Sequence, residues 1–141
     1  MTRETLAACI RRLPPTGPVS DALAQALPHG RTVRAAWYKT QREHWLGCLG
    51  DYDGPGARGR TTWGGRSAEY VYNHIQCAPM LLWLAEAAGV PMLLLFTAAD
   101  AALGAGATGA QQCAALRRVI PWCWVQEALQ ARFPGINDKA E

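Results

Sequence analysis

The chain has no Cys-x-x-Cys pair, no Gly-Lys-Ser/Thr phosphate loop and no Gly-x-Ser-x-Gly elbow anywhere in its 141 residues. These absences exclude the usual sequence forms of a zinc knuckle, a P-loop nucleotide site and an α/β-hydrolase nucleophile. Charged residues are scarce at 18% against 50% apolar, which excludes a disordered polyelectrolyte. No stretch alternates apolar and polar residues convincingly, so no half-buried strand is expected. Met1 to Leu13 holds no continuous apolar run of signal-peptide length, and Glu4 is unfavourable in a transit peptide. The most apolar window, Ala78 to Ala99, is interrupted by Glu86 and by Gly89-Val90-Pro91, so it reads as two packed helices instead of a membrane span.

What is present points to one helical domain. A chain of this length falls in the single-domain range, and folding would bury roughly 68–70% of its unfolded surface. Six tryptophans supply anchors for a core, and fourteen glycines and nine prolines divide the Ala- and Leu-rich sequence into short pieces. The expected architecture is all-α: a single compact bundle of seven or eight short helices over residues 1–133, with a polar tail at 134–141. Thr2 caps a first helix to Arg12, with Leu6, Cys9, Ile10 and Leu13 on one face. A second helix follows Gly17-Pro18 and stops at Pro28. A third opens near Thr32 and runs to Leu49, its stripe formed by Val33, Trp37, Thr40, His44 and Cys48 with Trp45 and Leu49 alongside. Ser67 caps a helix that Pro79 interrupts, Pro79 opens the next, Gly89 ends it and Pro91 restarts the chain to Leu103. Gly104–Gly109 reads as a hinge before two last helices, Ala110 to Ile120 and Pro121 to Phe133.

Five cysteines form an odd set without regular spacing, which argues against a secreted disulfide framework and for a reducing cytosol. Cys9, Cys77 and Cys113 lie in apolar helical patterns, where a thiol packs as a small hydrophobe.

Charge divides the chain unevenly. Residues 1–66 hold ten Lys/Arg against five Asp/Glu, and residues 67–141 hold four against six, so +5 and −2 sum to +3. A basic first half suits nucleic acid, an acidic protein, anionic lipid or simply a solvated face. Gly50–Gly65 contains six glycines and a proline and forms one long loop, a length more often functional than decorative. Arginines there and on the third helix alternate with rings that can stack bases or anchor a protein interface. The candidate binding residues are Tyr38, Lys39, Arg42, Asp51, Asp53, Arg58, Arg60, Trp63 and Arg66. Trp37 and Trp45 share the core stripe instead.

No catalytic residue, metal ligand or cofactor is assigned. Asp51 and Asp53 alternate in the loop without the full spacing of a calcium loop. Glu43, His44, Glu69 and His74 are acid–base candidates on separate helices. Cys48 and Cys77 are nucleophiles only with an activating neighbour.

Leu84-Ala85-Glu86-Ala87-Ala88-Gly89-Val90 resembles the first helix and turn of a bacterial repressor helix-turn-helix. The following Pro91-Met92-Leu93-Leu94-Leu95-Phe96-Thr97 departs from that pattern, because base reading requires polar side chains in the major groove. A buried hairpin is expected there, with a partner groove or a homodimer seam as alternatives. The runs Trp37-Tyr-Lys-Thr-Gln-Arg-Glu-His-Trp-Leu, Asp51-Tyr-Asp-Gly-Pro-Gly, Tyr70-Val-Tyr-Asn-His-Ile and Met80-Leu-Leu-Trp-Leu-Ala-Glu-Ala-Ala-Gly-Val together resemble small uncharacterised prophage-encoded proteins. That resemblance implies an accessory role in phage and host conflict or phage regulation: an inhibitor or modulator, including an anti-defence protein such as an anti-CRISPR. The expected activity is binding to a protein or nucleoprotein. A helix-turn-helix regulator and a small metal-dependent hydrolase are the alternatives.

Overall fold

The computed structural model describes residues 1–15, 17–26, 42–47, 49, 66–105 and 108–136, and these fold as an all-α bundle. Among the described residues there are eight helical segments and no strand. They are α1 (Arg3–Arg12), α2 (Pro18–Ala26), α3 (42–47), α4 (Ala68–His74), α5 (Ala78–Ala88), α6 (Met92–Leu103), α7 (Gly109–Val119) and α8 (Trp122–Arg132). Local chemistry sets their ends. Thr2, Ser67 and Thr108 each accept a hydrogen bond from the backbone N–H three residues on, capping α1, α4 and α7. Pro79 occupies the first turn of α5, where its missing N–H costs nothing. Gly89 ends α5 with a φ of 97°, and the N–H groups of Gly89 and Val90 close on the carbonyls of Glu86 and Ala85.

The core is built around α5. Every residue from Ala78 to Ala88 except Glu86 is buried, and the helix packs against α2, α6, α7 and α8. A helix covered on all sides needs no polar stripe, which is why this segment reads as uniformly apolar. The buried cluster takes side chains from all eight helices. Trp83 is 2% exposed, and its Nε1 donates to the Pro14 carbonyl at 2.8 Å. The indole is thereby satisfied where α1 gives way to the double proline.

Tertiary contacts satisfy helix ends that local sequence leaves open. The Glu86 carboxylate accepts from the backbone N–H groups of Val19 at 3.0 Å and Ser20 at 3.4 Å, and from the Ser20 hydroxyl at 3.2 Å. It therefore acts as an N-terminal cap for α2, supplied by another helix. A Cβ on Gly17 would overlap this carboxylate, so glycine admits it. Arg117 serves α4 in the opposite sense, its Nε donating to the Tyr72 carbonyl at 3.3 Å and its Nη2 to the Ile75 carbonyl. A cation at a helix C-terminus complements both the orphan carbonyls and the dipole. The buried Tyr72 hydroxyl donates to the Ile120 carbonyl at 2.9 Å, and burial pushes its phenol well above the ordinary range.

Several expectations are revised. On α3 the buried residues are Trp45, Leu46 and Gly47, followed by Leu49, while His44 is exposed. The stripe is displaced by one position because an indole and two leucines bury more apolar area than an imidazole. Val33, Trp37, Thr40 and Cys48 lie outside the described residues, as do 106–107 of the expected hinge. The two ends of that hinge have fixed tasks: Gly104 terminates α6, and Gly109 opens α7 where a Cβ would sit 2.5 Å from the Gln76 carbonyl oxygen. Ile136, within the expected tail, packs against the core, and residues 137–141 lie outside the described residues.

Candidate functional site

Helix α6, Met-Leu-Leu-Leu-Phe-Thr-Ala-Ala-Asp-Ala-Ala-Leu, buries only Leu95, Ala98 and Ala102. Met92, Leu93, Phe96 and Leu103 are 46%, 76%, 55% and 47% exposed. The expectation of a buried hairpin therefore holds for α5 and fails for α6, where one narrow stripe meets the bundle and the rest of an apolar helix faces outward. Met92, Phe96 and Leu103 line one wall of a groove of about 440 Å³, and Val19, Ala22 and Ala26 of α2 line the other. A second apolar groove of about 270 Å³ runs between Val90 and Leu94 on one side and Trp124 and Ala128 of α8 on the other. Exposed aliphatic and aromatic side chains grouped this way mark an interaction surface more often than scattered ones do.

Helices α2, α5 and α6 contain no Lys, Arg or His and carry Asp21, Glu86 and Asp100. Of these three, Glu86 is engaged as the cap of α2 and Asp100 is exposed. The chain as a whole is +3, whereas the charged residues of these three helices are all acidic.

A different surface runs along α4. The Arg66 guanidinium lies 4.8 Å from the Tyr70 ring centroid, and that ring stacks on His74 at 3.8 Å and 20°. His74 Nδ1 is 2.7 Å from the Tyr70 carbonyl, which can only accept, so Nδ1 carries the hydrogen. The column borders a polar cleft of about 540 Å³ lined by Glu69, Asn73, Trp122 and Gln126. No family model, curated protein or solved structure matches this chain.

Of the residues expected to bind, Arg42 and Arg66 are described. Arg42 is half-buried, and its Nη1 donates to the Leu13 carbonyl at 3.2 Å, which ties α3 to the end of α1. Arg66 is exposed and heads the Tyr70–His74 column. Tyr38, Lys39, Asp51, Asp53, Arg58, Arg60 and Trp63 lie outside the described residues, as does the rest of the Gly50–Gly65 loop. The acid–base candidates His44 and His74 sit against rings of their own helices, His44 at 5.3 Å from Trp45 and His74 on Tyr70. Among the described residues no group of three or more His, Cys, Asp or Glu is placed to hold a metal ion. No helix among them is long and apolar enough to cross a membrane. The α6 side chains are absent from the expected binding set. Their signal was the helix's uniform apolarity, which requires some cover on every face.

Of the four described thiols, Cys123 is exposed and the other three are covered, which is unfavourable to nucleophilic chemistry. Cys9 and Cys113 are buried and Cys77 is partly buried, and none of the three is in a disulfide. Burial pushes Cys77 up to about 11 and Cys113 up to about 12, whereas a reactive cysteine is shifted downward. The sign of the linkage follows. Below the ordinary thiol value of 9.0 both folded and unfolded chains keep these protons; above it the unfolded chain loses them first. Stability is therefore expected to fall as pH rises from about 9 towards 12. Urea midpoints at pH 8 and at pH 10.5 check this, with Cys113→Ala flattening the decline.

Proposed function

We propose that this chain acts by binding a protein partner through the exposed apolar face of α6 and the groove it forms with α2. The observation that carries the reading is the grouping of Met92, Leu93, Phe96 and Leu103, outward-facing on one helix beside an apolar groove. Burial of such a face on association is the driving force, with Phe96 as the natural anchor. The resemblance to small prophage-encoded proteins supplies the biological side of the proposal: a phage or host partner, an inhibitory or modulatory effect that includes anti-defence, and, with the odd cysteine set, a reducing cytosol as the compartment.

The helix-turn-helix alternative gains nothing from α6. Its only polar side chains are Thr97 and Asp100; the Thr97 hydroxyl donates to the Leu93 carbonyl at 3.0 Å, and a carboxylate repels phosphate. Nucleic acid retains support at one place, the Arg66–Tyr70–His74 column, which follows the basic aromatic loop in sequence and offers a guanidinium and a ring of the kind bases stack on.

Capture from a bacterial lysate tests the reading. Tagged wild type and the Leu93→Lys/Phe96→Ala double variant are compared, each with and without nuclease, followed by mass spectrometry. The proposal expects a stoichiometric protein that survives nuclease and is lost with the double variant. Recovery of nucleic acid alone, or capture indifferent to both substitutions, sinks it.

A further inference from the structure

Independent of that binding surface, we infer that Cys77 and Cys113 form an oxidation site, closing to an intramolecular disulfide when a low-molecular-weight disulfide such as oxidised glutathione accumulates. Contacts at both ends of α7 lay that helix along the junction between α4 and α5. Gly109 opens α7 so near the junction that a Cβ there would stand 2.5 Å from the Gln76 carbonyl oxygen. Two turns on, Arg117 donates from Nε to the Tyr72 carbonyl and from Nη2 to the Ile75 carbonyl. Residues 109, 113 and 117 stand at i, i+4 and i+8 and so share one face of the helix. Cys113, fully buried, lies between the two anchored ends. Opposite it, residues 75–77 run extended, with Ile75 buried, Gln76 exposed and Cys77 half-buried. Side chains alternate along an extended chain, so Cys77 turns inward with Ile75. A negative charge on Cys77 raises Cys113 further, which sets the two sulfur atoms within electrostatic reach of each other.

The surroundings divide the roles. Cys77 retains exposed surface and meets the entering disulfide; Cys113 has none and resolves the adduct from within. Burial holds both thiols protonated at neutral pH, while the Met80 N–H beside Cys77 and the Arg117 guanidinium beside Cys113 offset part of that effect. The Cys77 thiolate attacks one sulfur of the small disulfide, forming a mixed disulfide and releasing a small thiolate that takes up the proton Cys77 gave up. The Cys113 thiolate then attacks the Cys77 sulfur and expels the second small thiolate, which takes the proton from Cys113. Two S–H bonds of the protein become one S–S bond, and the oxidant is reduced to two thiols. Only the thiolate reacts, so closure is slow near neutral pH and quickens as pH rises. The bond fastens α7, which packs against α5 and α6, to the chain between α4 and α5. Under a reducing thiol pool it is transient, as redox-sensing disulfides are.

The full chain is incubated with oxidised glutathione at about 5 mM and about pH 8.5, and iodoacetamide in urea then blocks every remaining thiol. The tryptic peptide 67–117 contains both cysteines, no other cysteine, and no Lys or Arg before its last residue. It is expected to lose two hydrogens and take up no iodoacetamide. The urea midpoint of the oxidised chain is expected to rise by about 1 M, with helical content unchanged. Cys113→Ala is expected to stop at a glutathione adduct on Cys77, and Cys77→Ala to leave Cys113 reduced. Circular dichroism checks that both variants fold; the wild-type peptide decides the pairing if either does not. Both thiols still reduced after about a day, glutathione on the two cysteines without closure, or pairing of either with Cys9, Cys48 or Cys123 overturns the inference. A closed peptide with a lowered urea midpoint overturns it as well, because such a bond does not fit the native packing.

Discussion

Replacing Trp83 with alanine is expected to remove about 3–5 kcal/mol of stability, enough to leave a chain of ordinary stability partly unfolded at growth temperature. Trp83 is the largest of the fully or nearly fully buried side chains and lies on α5, which packs against four other helices. The substitution opens a cavity that the surrounding helices refill only in part. It also strands the Pro14 carbonyl that now accepts from Nε1 at 2.8 Å. Trp83→Phe separates the two contributions: it keeps most of the ring volume and loses the hydrogen bond, at a cost of about 1–2 kcal/mol. Urea unfolding followed by far-ultraviolet circular dichroism gives both values. A loss below about 1 kcal/mol for the alanine variant would show that α5 is not the centre of the core.

The second large effect is expected at Glu86. Glu86→Ala leaves the Val19 and Ser20 N–H groups without their acceptor and the start of α2 without its compensating charge. The cost is about 1–3 kcal/mol, the usual penalty for a partly buried donor left unsatisfied. Glu86→Gln retains one acceptor oxygen in the same place and should recover part of that loss. Hydrogen exchange locates the effect. Amides of α2 are expected to lose protection in Glu86→Ala before those of α7 or α8, because the Glu86 carboxylate accepts from the backbone of α2. Uniform loss across the bundle contradicts the capping role. Since α2 forms one wall of the groove, the same variant is also expected to weaken partner binding without touching α6.

Much of this architecture was legible in the sequence because its boundaries are made by residues with strong local rules. Thr2, Ser67, Pro79, Gly89 and Pro91 set helix starts and stops that the structure reproduces within one or two residues. Period alone was a weaker guide. On α3 it could not separate the His44 and Cys48 register from that of Trp45 and Leu49, since the two stripes overlap. The Glu86 and Arg117 caps were not legible at all. Each joins residues more than forty apart in sequence, and a lone charged residue in an apolar helix looks like an interruption until its distant partner is in place. The site was legible in kind more than in position. An apolar segment requiring cover was visible at Met92 to Phe96, but only the packing of α6 on one stripe shows which of its side chains remain outside. Arg42 illustrates the converse, a basic residue in a run that reads as a contact surface yet serves as a strut to Leu13.

The central claim is that the α6 face exists for a partner and not for the fold. The most direct measurement is the urea unfolding midpoint of Leu93→Lys/Phe96→Ala beside wild type. Leu93 is 76% exposed and Phe96 55%, so the account predicts a combined loss of no more than about 1 kcal/mol, with helical content unchanged. A loss of about 3 kcal/mol or more, as for core truncations, would contradict it by showing that these side chains already have their partner within the chain.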